Sequence, residues 1–375
     1  MDQILKSIDS GVARILDKAL EGREITVPEA VSLLSAEDGE LLVLTLVADQ
    51  VRAAAVGDAV TYVHNRNINF TNICVGSCRF CAFHRPPHAA QDGYAWSLPE
   101  IAAKAVEAAE EGATEVCVQG GLHPGLEPRF LIRICETIKR ELPDIHIHAF
   151  SPMEVLFAAR RLGCGVKHLL QDLQAAGLGS MPGTAAEILD DSVRRVICPA
   201  KLTSDEWADV IATAHRLGIP TTSTMLYGHV EEPEHRVRHM DRIRRMQKAG
   251  GRFTEFIPLR FVYRNTVLYR QKRCGPQVSA LEDVKVHAVA RLLFSGSIDN
   301  IQVSWVKLGV PLAQVCLHAG ANDVGGTLME EHISRAAGSC TPGALSVGEI
   351  RDMIRACGRT ARQRTTTYGP VGTRS

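Results

Sequence analysis

Three cysteines, Cys74, Cys78 and Cys81, fall in one short stretch, NINFTNICVGSCRFCAFHRPP (67–87), at Cys-x₃-Cys-x₂-Cys spacing. Soft thiolates gathered on a tight loop are metal or iron–sulfur ligands by type. A structural zinc site closes with four ligands, and a cubane held wholly by protein takes four thiolates. Three thiolates can instead take three corners of a [4Fe-4S] cubane and leave one iron open to an exogenous ligand. The zinc alternative must draw a fourth ligand from His84 or His88. With 11 cysteines in 375 residues, this pattern arises by chance in about one such sequence in a hundred. The remaining cysteines, at 117, 135, 164, 198, 274, 316, 340 and 357, show no ligand spacing and read as small buried hydrophobes.

The cysteines need a scaffold that can aim them. Residues 1–58 have helical periodicity (Ile4, Ile8, Val12, Ile15, then VPEAVSLLS and DGELLVLTLVADQVRAAAVGD) and read as a helical cap. From about residue 65, short strand-like runs alternate with amphipathic helices, the pattern of a parallel sheet with helical crossovers. The strand candidates are 67–72, 114–119, 144–150, 178–181, 219–225, 253–258, 300–304 and 315–319. Eight such units close a TIM-like α/β (β/α)₈ barrel; the weakness of the fourth and eighth leaves an open six-unit barrel as the alternative. Helix starts are marked by capping boxes, Ser97 with Glu100 and Thr203 with Glu206, and stops by Gly112 and Gly218. The expected divisions are a helical extension over 1–58, a barrel over 59–340, and a C-terminal helix with a fraying polar tail over 341–375.

Alternation within the strands indicates where chemistry can sit. Ile68 and Phe70 oppose Asn67, Asn69 and Thr71, and Ile145 and Ile147 oppose His146 and His148. Apolar faces turned to the helices leave a polar lumen, which is costly unless water or a ligand satisfies it. Active sites of such barrels lie at the carboxyl ends of the strands, and Cys74 follows the first strand there. Lumen or loop candidates for a substrate are His148, Ser223, His229, Asn322 and Asp323. Asn322 and Asp323, between glycines, also suit an Asx turn.

Composition excludes several partner classes. Lys+Arg and Asp+Glu are both 42, so no global field favours nucleic acid or an anionic membrane. The amino terminus lacks the apolar core of a signal peptide and no run is long enough to span a bilayer. A cytoplasmic protein with a small-molecule partner is expected.

The cysteine loop after a first barrel strand, with Phe80 before the last cysteine, resembles the radical S-adenosylmethionine (SAM) superfamily. The resemblance implies that the open iron chelates the amino and carboxylate groups of SAM, and that one electron cleaves SAM to methionine and a 5′-deoxyadenosyl radical. VCVQGGLHPG then resembles the superfamily's glycine motif, implying that Gln119, Gly120 and Gly121 adjoin the methionyl group; unaided, a Gly-Gly pair reads as a turn. A narrower likeness runs from about residue 60 to 367 through HIHAFSPMEV, AGLGSMPGTAAEILDD, AHRLGIPTTSTMLYGHVE, WVKLG, AGANDVGGTLMEEHISRAAG and GRTARQRTT. These segments resemble the tyrosine-using subunit of FO synthase, the CofH family of 5-amino-6-(D-ribitylamino)uracil:L-tyrosine 4-hydroxyphenyl transferases in coenzyme F420 biosynthesis.

That resemblance implies cleavage of the L-tyrosine Cα–Cβ bond, transfer of the 4-hydroxybenzyl group to 5-amino-6-(D-ribitylamino)uracil, and release of 2-iminoacetate. It also implies a second FO synthase subunit that closes the deazaflavin ring, and an external electron donor. By the same resemblance Glu187 holds the SAM ribose, where by position alone it is a helix-start carboxylate; Arg194 by default pairs with Asp190 one turn away, with a contact to the SAM carboxylate as the second reading. Related futalosine-pathway enzymes, aminofutalosine synthase and dehypoxanthine futalosine cyclase, share the loop and the GGLHP turn. An iron–sulfur electron carrier or sensor is the non-enzymatic alternative. One segment departs from the family: FVYRNTVLYRQKRCGPQV (261–278) carries Arg264, Asn265 and Thr266 where a smaller, proline-containing stretch is expected.

Overall fold

A computed structural model describes residues 2–88, 91–275 and 277–371. Among these, nine strands are present: β1 (Ala59–Val63), β2 (Asn65–Asn69), β3 (Glu115–Gln119), β4 (His146–Ala149), β5 (Leu178–Ser180), β6 (Thr221–Tyr227), β7 (Phe253–Arg260), β8 (Asp323–Gly326) and β9 (Thr360–Gln363). β2, β3, β4 and β5 pair in parallel in sequence order. A bridge from Met181 to Thr221 leads to the β6–β7 pair, and bridges Phe256–Ile301 and Gln302–Asp323 lead on to β8. The ring closes where the Asn67 N–H donates to the Leu328 carbonyl at 2.8 Å. Seven strands and the bridged pair Ile301 and Gln302 thus make eight parallel units of a TIM-like barrel.

The helices form where the capping signals stand. Ser97 and Glu100 close a capping box on helix Leu98–Glu110, and Thr203 with Glu206 does so on helix Ser204–Arg216. Ile68 and Phe70 point outward into an apolar layer with Ile101, Ala105, Ile134 and Ile147, so the opposite faces of these strands are turned to the lumen. Before the barrel, helices Val27–Leu34 and Asp38–Val56 pack on helix Ala280–Leu293, and helix Ser10–Leu20 packs on those two.

Two expectations fail at the end of the chain. Residues 315–319 are not a strand: most of them complete helix Val310–Leu317, which starts on a proline and buries Ala313, Cys316 and Leu317 at helical spacing. The eighth strand is β8, DVGG, whose glycines weaken any strand signal; Gly326 is required there because a Cβ would lie 1.9 Å from Asn65 Oδ1. Nor do residues 360–364 fray. β9 pairs in parallel with β1, from Ala59 with Thr360 to Tyr62 with Gln363. Arg364 beyond it enters the barrel floor, its guanidinium 2.6 and 3.0 Å from the two Asp323 carboxylate oxygens and 3.4 Å from Glu255.

Candidate active site

At the carboxyl ends of the strands lies a cavity of about 280 Å³, whose wall includes Cys74, Cys78 and Cys81. The loop that carries them is tied to several elements. Cys74 N–H donates to Arg85 O, Val75 N–H to Leu122 O, and Arg79 N–H to Ile197 O at 2.8 Å. Arg79 O in turn accepts from Leu268 N–H at 2.8 Å, so the departing segment 261–278 clamps the loop through its short helix Val267–Arg270. Gly76 N–H points at Cys74 Sγ, 3.2 Å away, a donor placed to stabilise a thiolate.

These thiols suit a cluster corner each. Burial pushes Cys78 up to about 12 and raises Cys74 and Cys81, so without a metal all three are protonated at neutral pH. Lys201 acts against that trend at every one of them, and its Nζ sits 5.3 Å from the centre of the Phe80 ring. A single tetrahedral ion holds thiolates within about 4 Å of one another. Among the described residues, no three His, Cys, Asp or Glu side chains gather around such a point. His84 lines the cavity but turns Nδ1 to Cys81 O at 3.0 Å. Three half-buried thiols around a shared chamber, opposed by one fixed cation, fit a [4Fe-4S] cluster.

Gln119, Gly120 and Gly121 follow β3 on the same wall. A Cβ on Gly121 would sit 2.3 Å from Ile73 O and 3.0 Å from Cys74 Cβ, and one on Gly120 would sit 2.5 Å from the Phe70 ring. The pair therefore lets β3 close on the cysteine loop. Gly120 N–H donates to Glu154 Oε1 at 2.9 Å, while Glu154 Oε2 accepts from Ser151 N and Oγ. Burial pushes the Glu154 carboxyl up to about 7. The Ser-x-x-Glu capping box in HAFSPMEV is the sequence signal for this residue, which the strand-face argument passed over.

The other expected site residues divide. Phe80 and Glu187 line the cavity. Glu187, at φ 47°, pairs with Lys201 Nζ at 2.5 Å. Arg194 does not reach the wall: its guanidinium is spent on the carbonyls of Ala185 and Leu202, at 3.2 and 2.6 Å, and of Ala186. Asp190, its expected partner, caps helix Asp191–Ile197.

None of the five substrate candidates is on the cavity wall. His148 Nδ1 and His146 Nε2 both meet the Ser180 hydroxyl at 2.7 Å, deep in the lumen. Ser223 donates to Glu255 O at 2.7 Å, and it is Thr224 that faces the cavity. His229 is buried against Leu226 O and Glu231. Asn322 Oδ1 accepts from Arg291 at 2.7 Å and Ile301 N at 2.8 Å. Asp323 binds Arg364, and it makes the Asx turn to Gly325 N at 2.7 Å. Polar groups that do line the chamber include Asn69, Asn72, Thr184, Thr224, Lys201 and Lys307. Among the described residues the Asn69 amide has no protein partner within hydrogen-bond range, whereas Thr184 Oγ1 donates to Gln119 Oε1 at 2.9 Å.

Residues 68–243 match the family model of the radical SAM superfamily, and residues 250–374 match that of the CofH/MqnC C-terminal region. The chain is 50% identical over 365 residues to a 5-amino-6-(D-ribitylamino)uracil–L-tyrosine 4-hydroxyphenyl transferase of Methanothermobacter thermautotrophicus, covering 97% of this chain and 99% of that one. It is 50% identical over 350 residues to the protein of that name from Methanocaldococcus jannaschii, covering 92% and 97%. Among solved structures it is similar to methylornithine synthase (PylB), with TM-score 0.73, 19% identity, and 92% and 97% of the two chains covered. The FeFe-hydrogenase maturase HydG of Carboxydothermus hydrogenoformans gives TM-score 0.69 at 16% identity, covering 98% and 82%. The two structures share the barrel fold with this chain.

Proposed function

The chain belongs to the 5-amino-6-(D-ribitylamino)uracil–L-tyrosine 4-hydroxyphenyl transferase family, radical SAM enzymes that form a subunit of FO synthase, and we propose that the cavity walled by the three cysteines seats the cluster, SAM and both substrates. The observation that carries this reading is the shared wall: the three cysteines, the glycine pair and an apolar chamber with few polar groups face one another. When bound, the [4Fe-4S] cluster and SAM supply the one-electron chemistry needed to break an unactivated C–C bond.

The chain's own residues do the rest. Cys74, Cys78 and Cys81 hold three irons, and Lys201 offsets the negative charge gathered there. Gly120 and Gly121 present backbone to the methionyl amino group, with Glu154 fixing the Gly120 N–H. Glu187 lies where a ribose would pass, already held by Lys201. Leu226, Leu259, Phe261 and Val262 wall the far side and exclude water that would quench a reactive fragment. The free Asn69 amide offers a donor and an acceptor to the hydroxyl-rich, neutral ribitylaminouracil. The product passes to the other FO synthase subunit, an external donor supplies the electron, and the cytoplasm is the compartment. No helix among the described residues is long and apolar enough to cross a membrane.

The test is anaerobic incubation of reconstituted protein with SAM, reductant, tyrosine and the diaminouracil, followed by mass spectrometry. Coupled product that requires both substrates is expected. Consumption of dehypoxanthine futalosine, or formation of aminofutalosine, with tyrosine untouched would overturn the substrate assignment. SAM that leaves the reduced cluster's spectrum unchanged would favour an electron carrier.

A further inference from the structure

The cavity wall carries two lysines, and they are not equivalent. Lys201 is bound to Glu187 at 2.5 Å. Lys307 has no carboxylate within salt-bridge range among the described residues; its Nζ meets one side chain, the Ser334 hydroxyl, at 3.1 Å. Glu331 and Glu187 both act on it, but the Glu331 carboxylate is engaged by the backbone N–H groups of Ser334, at 2.9 and 3.0 Å, and of Arg335, and Glu187 is paired with Lys201. Lys307 stands on the short helix Trp305–Leu308 directly after the seventh barrel unit, and Ser334 on Ile333–Ala336 after β8. Both are therefore at the carboxyl-end face of the barrel, where Phe261, Val262 and Ala337 supply apolar surroundings.

An ammonium has three donors, and one hydroxyl uses one of them. A lysine held in an apolar wall with donors left over is costly unless an anion arrives. Burial also lowers the Lys307 ammonium from its ordinary range, while the Glu331 and Glu187 carboxylates and the Cys81 thiol act against that shift. The ribitylaminouracil is neutral, and the SAM carboxylate is assigned to the open iron at the cysteine end. We infer that Lys307, steadied by Ser334, receives the α-carboxylate of the amino-acid substrate and thereby fixes which end of tyrosine faces the reacting centre. This inference rests on the substrate reading above. Asp323, the one acid among the substrate candidates read from the sequence, is occupied by Arg364.

The experiment compares tyrosine with tyramine, which keeps the phenol and amine and lacks the carboxylate. Equilibrium binding to anaerobic, cluster-loaded, SAM-bound protein is measured for wild type, Lys307→Gln and Ser334→Ala. A charge-assisted contact predicts a roughly 10- to 100-fold loss of tyrosine affinity in Lys307→Gln. Tyramine affinity should move less than about threefold, so the preference for tyrosine collapses. Ser334→Ala keeps the ammonium and should lose a roughly two- to fivefold factor. Iron content and SAM affinity should match wild type in both. Equal weakening of tyrosine and tyramine, or a loss confined to SAM, overturns the assignment. Wild-type protein that binds neither amine sinks the substrate reading itself before any variant is compared.

Discussion

Gly121→Ala is the smallest change that tests how the cluster loop is positioned. The added Cβ would lie 2.3 Å from Ile73 O, where real Cβ atoms keep at least 3.0 Å, so backbone must retreat by about 0.7 Å. The obstacle is not a flexible side-chain end. Ile73 immediately precedes Cys74, whose own Cβ is 3.0 Å from the same point, and Gly121 N–H is fixed to Thr71 O at 2.8 Å. Overpacking of this kind costs roughly 1–3 kcal/mol, and a displacement near 1 Å at a reacting centre can cost about 10²-fold in rate. A sequence-level view of Gly121 as an approach to the SAM amino group leaves iron content untouched; the geometry here predicts that cluster loading falls together with SAM affinity. The assay is iron and sulfide per chain after anaerobic reconstitution, with the reduced-cluster spectrum and SAM titration on the same samples. Gly121→Val should be worse than Ala in each. Full iron loading and wild-type SAM affinity in Gly121→Ala would refute the packing argument.

Cys74→Ala, Cys78→Ala and Cys81→Ala should each abolish cluster loading and SAM cleavage while far-ultraviolet circular dichroism stays that of the barrel; normal cleavage in any of them contradicts the ligand assignment. Arg364→Ala strands the Asp323 and Glu255 carboxylates in the floor, so urea unfolding should show a loss of roughly 3–5 kcal/mol, and a loss below about 1 kcal/mol would mean the pair is solvated. Four buried histidines are held below their ordinary value of 6.5 by desolvation, His148, His215 and His287 to about 4 and His239 to about 3. The unfolded chain binds their protons first as pH falls, so stability is complete above about pH 6.5 and declines toward pH 4. His239 shows why: Nδ1 accepts from Leu189 N–H and Nε2–H donates to Thr224 O, both at 3.0 Å, a set that a doubly protonated ring cannot keep. A urea midpoint that stays flat between pH 6.5 and 5 would count against this.

What could be read from the residues alone follows from what each signal measures. Cysteine spacing and the Gly-Gly pair are local, and both stand on the cavity wall. Period-two alternation placed Ile68 and Phe70 outward and His146 and His148 on the lumen face, as the fold has them. Alternation gives a face but not a height along the barrel axis. His148 and Asp323 share the lumen face with the reactive end yet lie near its floor, beside Arg364, which stands 41 positions beyond Asp323. Asn322 looked like a pocket residue because its partner Arg291 is on a distant helix. Glycine-rich β8 lost to the apolar run at 315–319, since a short apolar run serves a buried helix equally well. Lys307 lies in WVKLG, a segment that carries the family resemblance but whose residue types assign the lysine no role; the wall it shares with the cysteines does.

β1 has consequences for the order in which this molecule can be made. One edge pairs with β8, Thr61 beside Asp323, and the other with β9, Ala59 beside Thr360. Both neighbours belong to the last part of the chain, while β1 is among the first strands synthesised. A nascent chain can assemble β2 to β5 from consecutive segments, but β1 waits with both edges open until β8 and β9 have been made. The loop with Cys74 begins five residues after β2, so a cluster inserted early would sit in a barrel that still lacks its floor. The late arrival of β8 and β9 thus leaves the cysteine loop standing above an open floor for as long as β1 is unpaired.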